Sequence, residues 1–176
     1  MEEKTENPDF DKLRRRVMWL IPNGIFLLGT RHEDQMNLMT LSWMTQVSSE
    51  PKVVIISCEK RSLSFELISK SKNFSVSFLE KNNKKPSLIF AKPAVLDKTL
   101  NTLSQYEYFE AKLTKTPVLS SACAYMEFGA VDFKELDSHV VVYGEVLNAV
   151  ELFDGSNKIT KESILSMQDT KMNYGG

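Results

Sequence analysis

Along the chain the spacing of apolar positions changes several times, and each change predicts an element. Phe10, Leu13, Val17 and Leu20 recur at three- and four-residue intervals, which predicts a lead-in helix within residues 1–21 that turns Arg14, Arg15 and Arg16 mostly to solvent. From Gly24 the apolar runs become short. GIFLLGTR, MNLMTLSW and KVVIISCE, set off by the charged turn HEDQ and by Pro51, predict three strands. Ser62 then opens RSLSFELISKS as the N-cap of a helix, and NFSVSFL alternates as a fourth strand. Residues 81–117 loosen the pattern with lysines, three prolines and two short apolar patches, and read as an excursion that serves as a lid or a dimer contact. SACAYMEFGAVDF and SHVVVYGEVLNAVEL restore the β character as two long strands joined by a polar turn.

Six strands without regular strand–helix alternation argue against a parallel sheet, because hairpin-length links cannot connect parallel neighbours. The fold class this predicts is mainly β with flanking helices, an antiparallel barrel whose closure removes exposed edges. The chain has 176 residues, a size that suits one domain.

Composition narrows the chemistry mostly by exclusion. A formal net charge of −1 offers no basic footprint for nucleic acid or an anionic membrane. The polar, acidic start MEEKTENPDF is unlike a signal peptide, and no apolar run approaches the roughly 20 residues of a membrane span, so a cytoplasmic protein is expected. Cys58 and Cys123 each sit inside an apolar β-like run and read as reduced core thiols. None of the seven glycines falls in a dinucleotide or P-loop fingerprint. Two histidines, His32 and His139, and no C-x-x-C exclude a histidine-rich metal site, so no metal is expected.

What remains is a pattern of hydroxyls. In MNLMTLSWMTQVSSEP, strand period places Leu38, Thr40 and Ser42 on one face and Met39, Leu41 and Trp43 on the other, so one face is small and hydroxylic. Read alone, such a face meets water. A second group, Arg61, Ser62 and Ser64, stands at a helix start, where free N–H groups and the helix dipole favour an anion. Both groups on one cleft would suit a phosphate-bearing ligand.

The run from MNLMTLSW through VSSEP, KVVIISCE and RSLSFELI, followed by TPVLSSACAYMEF and DSHVVVYGEVLNA, resembles the flavin reductase-like family of FMN-binding split-barrel proteins over about Pro22 to Val150. The resemblance implies a six-stranded antiparallel split β-barrel and a homodimer holding FMN near its interface. Carried over, Thr40, Leu41, Ser42 and Trp43 would line the flavin ring and ribityl chain. Backbone amides near Ser42 and Ser57 would meet the ring's polar edge, and Arg61, Ser62 and Ser64 would bind the phosphate. His139 would lie where a nicotinamide approaches, although the family's G-D-H reads D-S-H here. Three functions follow from the resemblance: an NAD(P)H-dependent flavin reductase taking NADH or NADPH as a transient substrate, a flavoredoxin-like electron carrier, or a split-barrel binding protein for another ligand such as heme. A reductase would serve a monooxygenase or another electron-transfer partner.

Overall fold

Three α-helices and eleven strands are formed by residues 8–152 and 159–170, the part of the chain that the computed structural model describes. In chain order they are α1 (Pro8–Met18), β1 (Phe26–His32), β2 (Gln35–Leu41), β3 (Met44–Ser49), β4 (Lys52–Glu59), α2 (Leu63–Ser71), β5 (Asn73–Phe78) and α3 (Lys85–Ile89). The short strands β6 (Leu96–Asp97), β7 (Thr102–Leu103), β8 (Tyr106–Glu110) and β9 (Pro117–Leu119) precede the long β10 (Ala124–Glu135) and β11 (His139–Glu151).

Seven strands make one antiparallel sheet in the order β2-β1-β5-β10-β11-β4-β3. Its two edge strands, β2 and β3, are consecutive in the chain, and only Ser42 and Trp43 separate them. A two-residue link spans under about 11 Å, so the sheet must curl until its edges nearly meet. The result is a barrel split along one seam. Register shifts between Glu127 and Phe128 and between Ala130 and Asp132 sharpen the twist of the long β10–β11 hairpin.

The barrel has one strand more than the apolar pattern predicts. β3 pairs on one side only and leaves Thr45, Gln46 and Val47 exposed, so it carries no apolar alternation. The 81–117 excursion is itself folded: α3 and a small sheet, β6-β7-β8-β9, occupy its length.

Two apolar clusters explain the mixed character of β2. Leu41 joins Leu28, Ile56, Phe74, Val76, Phe128 and Val142 inside the barrel, with Met39 against them. Leu38, on the opposite face, joins Ile25, Leu27, Phe90, Leu103 and Leu119 beneath the excursion. The strand is therefore covered on both sides. Inside the barrel Phe74 stacks on Phe128 with ring centroids 4.7 Å apart, and a Cβ on Gly144 would fall 2.4 Å from the Phe74 ring. Glycine there lets β11 pass the stacked pair.

α2 starts as its sequence predicts: the Ser62 hydroxyl accepts the Phe65 N–H, and Leu67 and Ile68 are buried while α2 packs on β1. α1 forms where the apolar spacing places a helix but buries none of its residues. Both cysteines are free and buried. Among the described residues no helix is long and apolar enough to cross a membrane.

Candidate functional site

The seam gathers the chain's polar chemistry because it is where β2 ends, β3 begins and the ends of β4 and β11 arrive together. A cleft of about 440 Å³ opens there, lined by Met39 to Trp43, Ser57 to Glu59, Ser62, Ala91 and His139. Leu41 and Cys58 are buried at its base, at 2% and 1% exposure, whereas Trp43 stands at 36%. Burial pushes the Cys58 thiol up to about 12, so the base carries no charge at neutral pH.

Backbone hydrogen bonds hold the seam in place. The Ser57 N–H donates to the Trp43 carbonyl at 3.1 Å, and the Thr40 N–H to the Phe90 carbonyl at 2.9 Å. The Ser57 amide thus extends the β3–β4 ladder by one step, while Ser57 itself lines the cleft. His139 lies opposite Glu59 in the β11–β4 pair. Its ring sits 5.1 Å from that of Trp43, centroid to centroid, with the planes at 58°, and Nδ1 is 2.8 Å from the Ser138 hydroxyl.

Seven of the nine residues singled out from the sequence line this cleft: Thr40, Leu41, Ser42, Trp43, Ser57, Ser62 and His139. Ser64 does not. It is buried, and its hydroxyl accepts a hydrogen bond from Asn37 Nδ2 at 2.9 Å, because the second helical position turns inward toward β2. Arg61 is exposed in the turn just before the helix and is absent from the lining. Ser62 Oγ also donates to the Glu59 carbonyl at 2.8 Å, so its hydroxyl mainly builds the cap. The amides of Leu63 and Ser64 are left without intrahelical acceptors by helix geometry, two and three residues after the exposed Arg61.

The polar side chains of β2 divide their work. The Thr40 hydroxyl donates to the Ser87 carbonyl at 2.7 Å, and Asn37 Oδ1 accepts the Ala94 N–H at 3.2 Å. These bonds dock the excursion on the free edge of β2 and bring Ala91 into the cleft wall. Of the three face residues Leu38, Thr40 and Ser42, Ser42 lines the cleft and makes no side-chain hydrogen bond among the described residues.

A family model, the flavin reductase like domain, matches residues 18–171. The chain belongs to this flavin reductase-like family. Flavin reductase PheA2 superposes with a TM-score of 0.69 at 25% identity, covering 89% of this chain and 92% of that one. The NADH:FAD oxidoreductase SgcE6 of Streptomyces globisporus gives 0.70 at 24% identity, covering 86% and 88%. A flavoredoxin from Methanosarcina acetivorans gives 0.68 at 24%, covering 89% of each chain. The split-barrel fold is common to all of them.

Four residues of this flavin reductase-like cleft escape a reading of the sequence: Met39, Cys58, Glu59 and Ala91. Met39 shares a strand face with Leu41 and Trp43, and Cys58 and Glu59 follow Ser57, so strand period offers a signal for those three. Ala91 has none, since only the docking of the excursion carries it there.

Proposed function

We propose that this chain is a flavin reductase that holds FMN in the seam cleft and takes a hydride for it from NADH or NADPH. The observation that carries the reading is the convergence of Thr40, Leu41, Ser42, Trp43, Ser57, Ser62 and His139 on one cleft, from four different elements and the seam between them. The donor set fits a flat ring with a phosphate tail: an uncharged base, hydroxyls along the sides, and a helix N-terminus with an arginine at one end. When bound, the flavin supplies the two-electron chemistry, so no side-chain nucleophile or base is required.

The chain's own residues then have separate tasks. Met39, Leu41 and Cys58 keep water from the ring, and Ser42 and Ser57 offer hydroxyls to its polar edge and to the ribityl chain. Arg61 and the first amides of α2 hold the phosphate. Glu59, an acceptor on the same rim, suits ligand hydroxyls and not the phosphate. Trp43 and His139 border the side open to a nicotinamide.

The reading extends to a homodimer that passes electrons to a partner such as a monooxygenase, in the cytoplasm. An apolar stripe on α1 supports the dimer: Phe10, Leu13 and Val17 are 60%, 53% and 55% exposed. Unpaired Cys58 and Cys123 agree with a reducing compartment.

The test is a visible spectrum of the purified protein titrated with FMN and with FAD, followed by anaerobic NADH and then NADPH. Flavin bands that form and bleach rapidly are expected. Bands that persist until a chemical reductant is added would make the protein an electron carrier. Failure to bind either flavin would overturn the reading.

A further inference from the structure

The excursion concentrates positive charge beside the cleft. The chain as a whole carries a formal net charge of −1, yet residues 81–98 hold five lysines and a single acid, Asp97. That carboxylate is engaged by its own loop, where Oδ1 accepts the Thr99 and Leu100 N–H groups at 2.9 and 3.0 Å. Lys81 reaches Asp169 at 3.8 Å, whereas Lys85 and Lys92 make no ion pair among the described residues.

Helical spacing sorts the residues around α3. Pro86, Ser87 and Phe90 are buried, Phe90 in the second apolar cluster, and they fix the segment to the barrel. Lys85, Leu88, Ile89 and Lys92 are exposed at the spacing of one helix face, so they stand on the side away from the barrel. The Lys92 N–H donates to the Ile89 carbonyl at 3.2 Å, which keeps it in the same turn. Leu88 and Ile89 are 49% and 45% exposed, and Val95 just beyond is 70% exposed. Ala91, within this stretch, lines the cleft.

Aliphatic side chains flanked by unpaired cations have the make-up of a protein interface, an apolar centre inside a charged rim. An isologous contact between two copies would set the patch against itself and bring like charges together. Three aliphatic side chains also suit a transient encounter and not a permanent dimer. In a helix that lies on a membrane, cations and apolar groups take opposite faces, but here they share one. A nucleic acid would satisfy the lysines and leave the aliphatic side chains without a partner.

We propose that the outward face of α3 and its following turn, Lys85, Leu88, Ile89 and Lys92, docks an acidic protein that presents carboxylates around an apolar centre. Docking there sets the partner beside the cleft. That the partner receives reduced flavin rests on the flavin reductase reading; the docking surface does not.

A photo-crosslinking residue in place of Leu88, in the full-length chain expressed in the cells it comes from, tests the proposal. The expected product is an adduct with an acidic protein, identified by mass spectrometry and then purified. In calorimetry that protein should bind the parent, about tenfold more weakly after the double substitution Lys85→Glu, Lys92→Glu. Binding should also weaken as salt rises from about 50 to 200 mM. An adduct with a second copy, a lipid or a nucleic acid, no adduct, or an affinity indifferent to the charge reversal would overturn the proposal. FMN affinity should be equal in parent and double variant, because neither lysine lines the cleft. If the partner binds but does not consume the reduced flavin, its role as acceptor is overturned and the docking surface stands. If the parent binds no flavin, the reductase reading fails and the docking result stands on its own.

Discussion

Glu127 on β10 is completely buried, and among the described residues no ion pair accompanies it. Four donors converge on it instead. Oε2 accepts the Leu113 N–H at 2.8 Å, the Thr114 N–H at 2.7 Å and the Thr114 hydroxyl at 3.0 Å, and Oε1 accepts Asn148 Nδ2 at 2.9 Å. Burial alone would raise the carboxyl's pKa, but these bonds outweigh it and hold the group below its usual value. Glu127→Gln keeps the shape and removes the charge. The amide oxygen can replace Oε2, while its NH2 then faces the Asn148 NH2 and forces that side chain to turn over. Three bonds lose their ionic character, about 1 kcal/mol each as the difference between charged and neutral hydrogen bonds. Relief from burying a charge offsets part of that, and a net loss of about 2 kcal/mol is expected. Urea unfolding at neutral pH should show it as a lower midpoint with an unchanged slope. The pH dependence has a definite sign: because the folded-state pKa lies below the unfolded one, Glu127 stabilises the protein above the ordinary carboxylate pKa. That contribution disappears as pH falls through the depressed folded value, so the gap between parent and variant should narrow in acid. Equal midpoints at neutral pH, or a gap that does not narrow in acid, would refute the reasoning.

The double substitution Arg61→Ala, Ser62→Ala should weaken FMN binding tenfold or more, on the order of 1.4 kcal/mol, in a flavin fluorescence titration; unchanged affinity would remove the phosphate assignment. Ser64→Ala should leave that affinity alone but cost about 1–3 kcal/mol in thermal unfolding, since it orphans the buried Asn37 amide. His139→Ala should slow reduction by NADH or NADPH, followed by stopped-flow absorbance, more than it weakens FMN binding; equal reduction rates would return His139 to a structural role. Gly29→Ala should prevent folding or lower the melting temperature severely, because its Cβ would lie 1.9 Å from the Pro117 carbonyl oxygen and backbone cannot move aside cheaply.

The helices and strands with strong periodicity were legible because local spacing and burial agree in them. α2 begins at its serine cap, β4, β5 and β11 lie inside the runs that predict them, and β10 runs two residues past its own. β3 was illegible because a strand paired on one side and facing water has no apolar face to display. The excursion was illegible for another reason: its two-residue strands exist only through pairing and through Phe90 and Leu103 entering the second core.

The candidate site divides along the same line. Residue type and strand period were enough to single out the hydroxyl-rich end of β2, the helix cap at Ser62 and the histidine at 139, because these depend on near neighbours in the chain. Only the tertiary structure decided which of their polar atoms remain for a ligand. The hydroxyls of Thr40 and Ser64 and the amide of Ser57 look equivalent to that of Ser42 in sequence, yet partners 47, 27 and 14 residues away satisfy them. A hydrogen bond made across the fold leaves no trace in local pattern. The cleft itself is a property of the closed sheet, since it exists only where the curl of seven strands brings β2 and β3 back to the same seam.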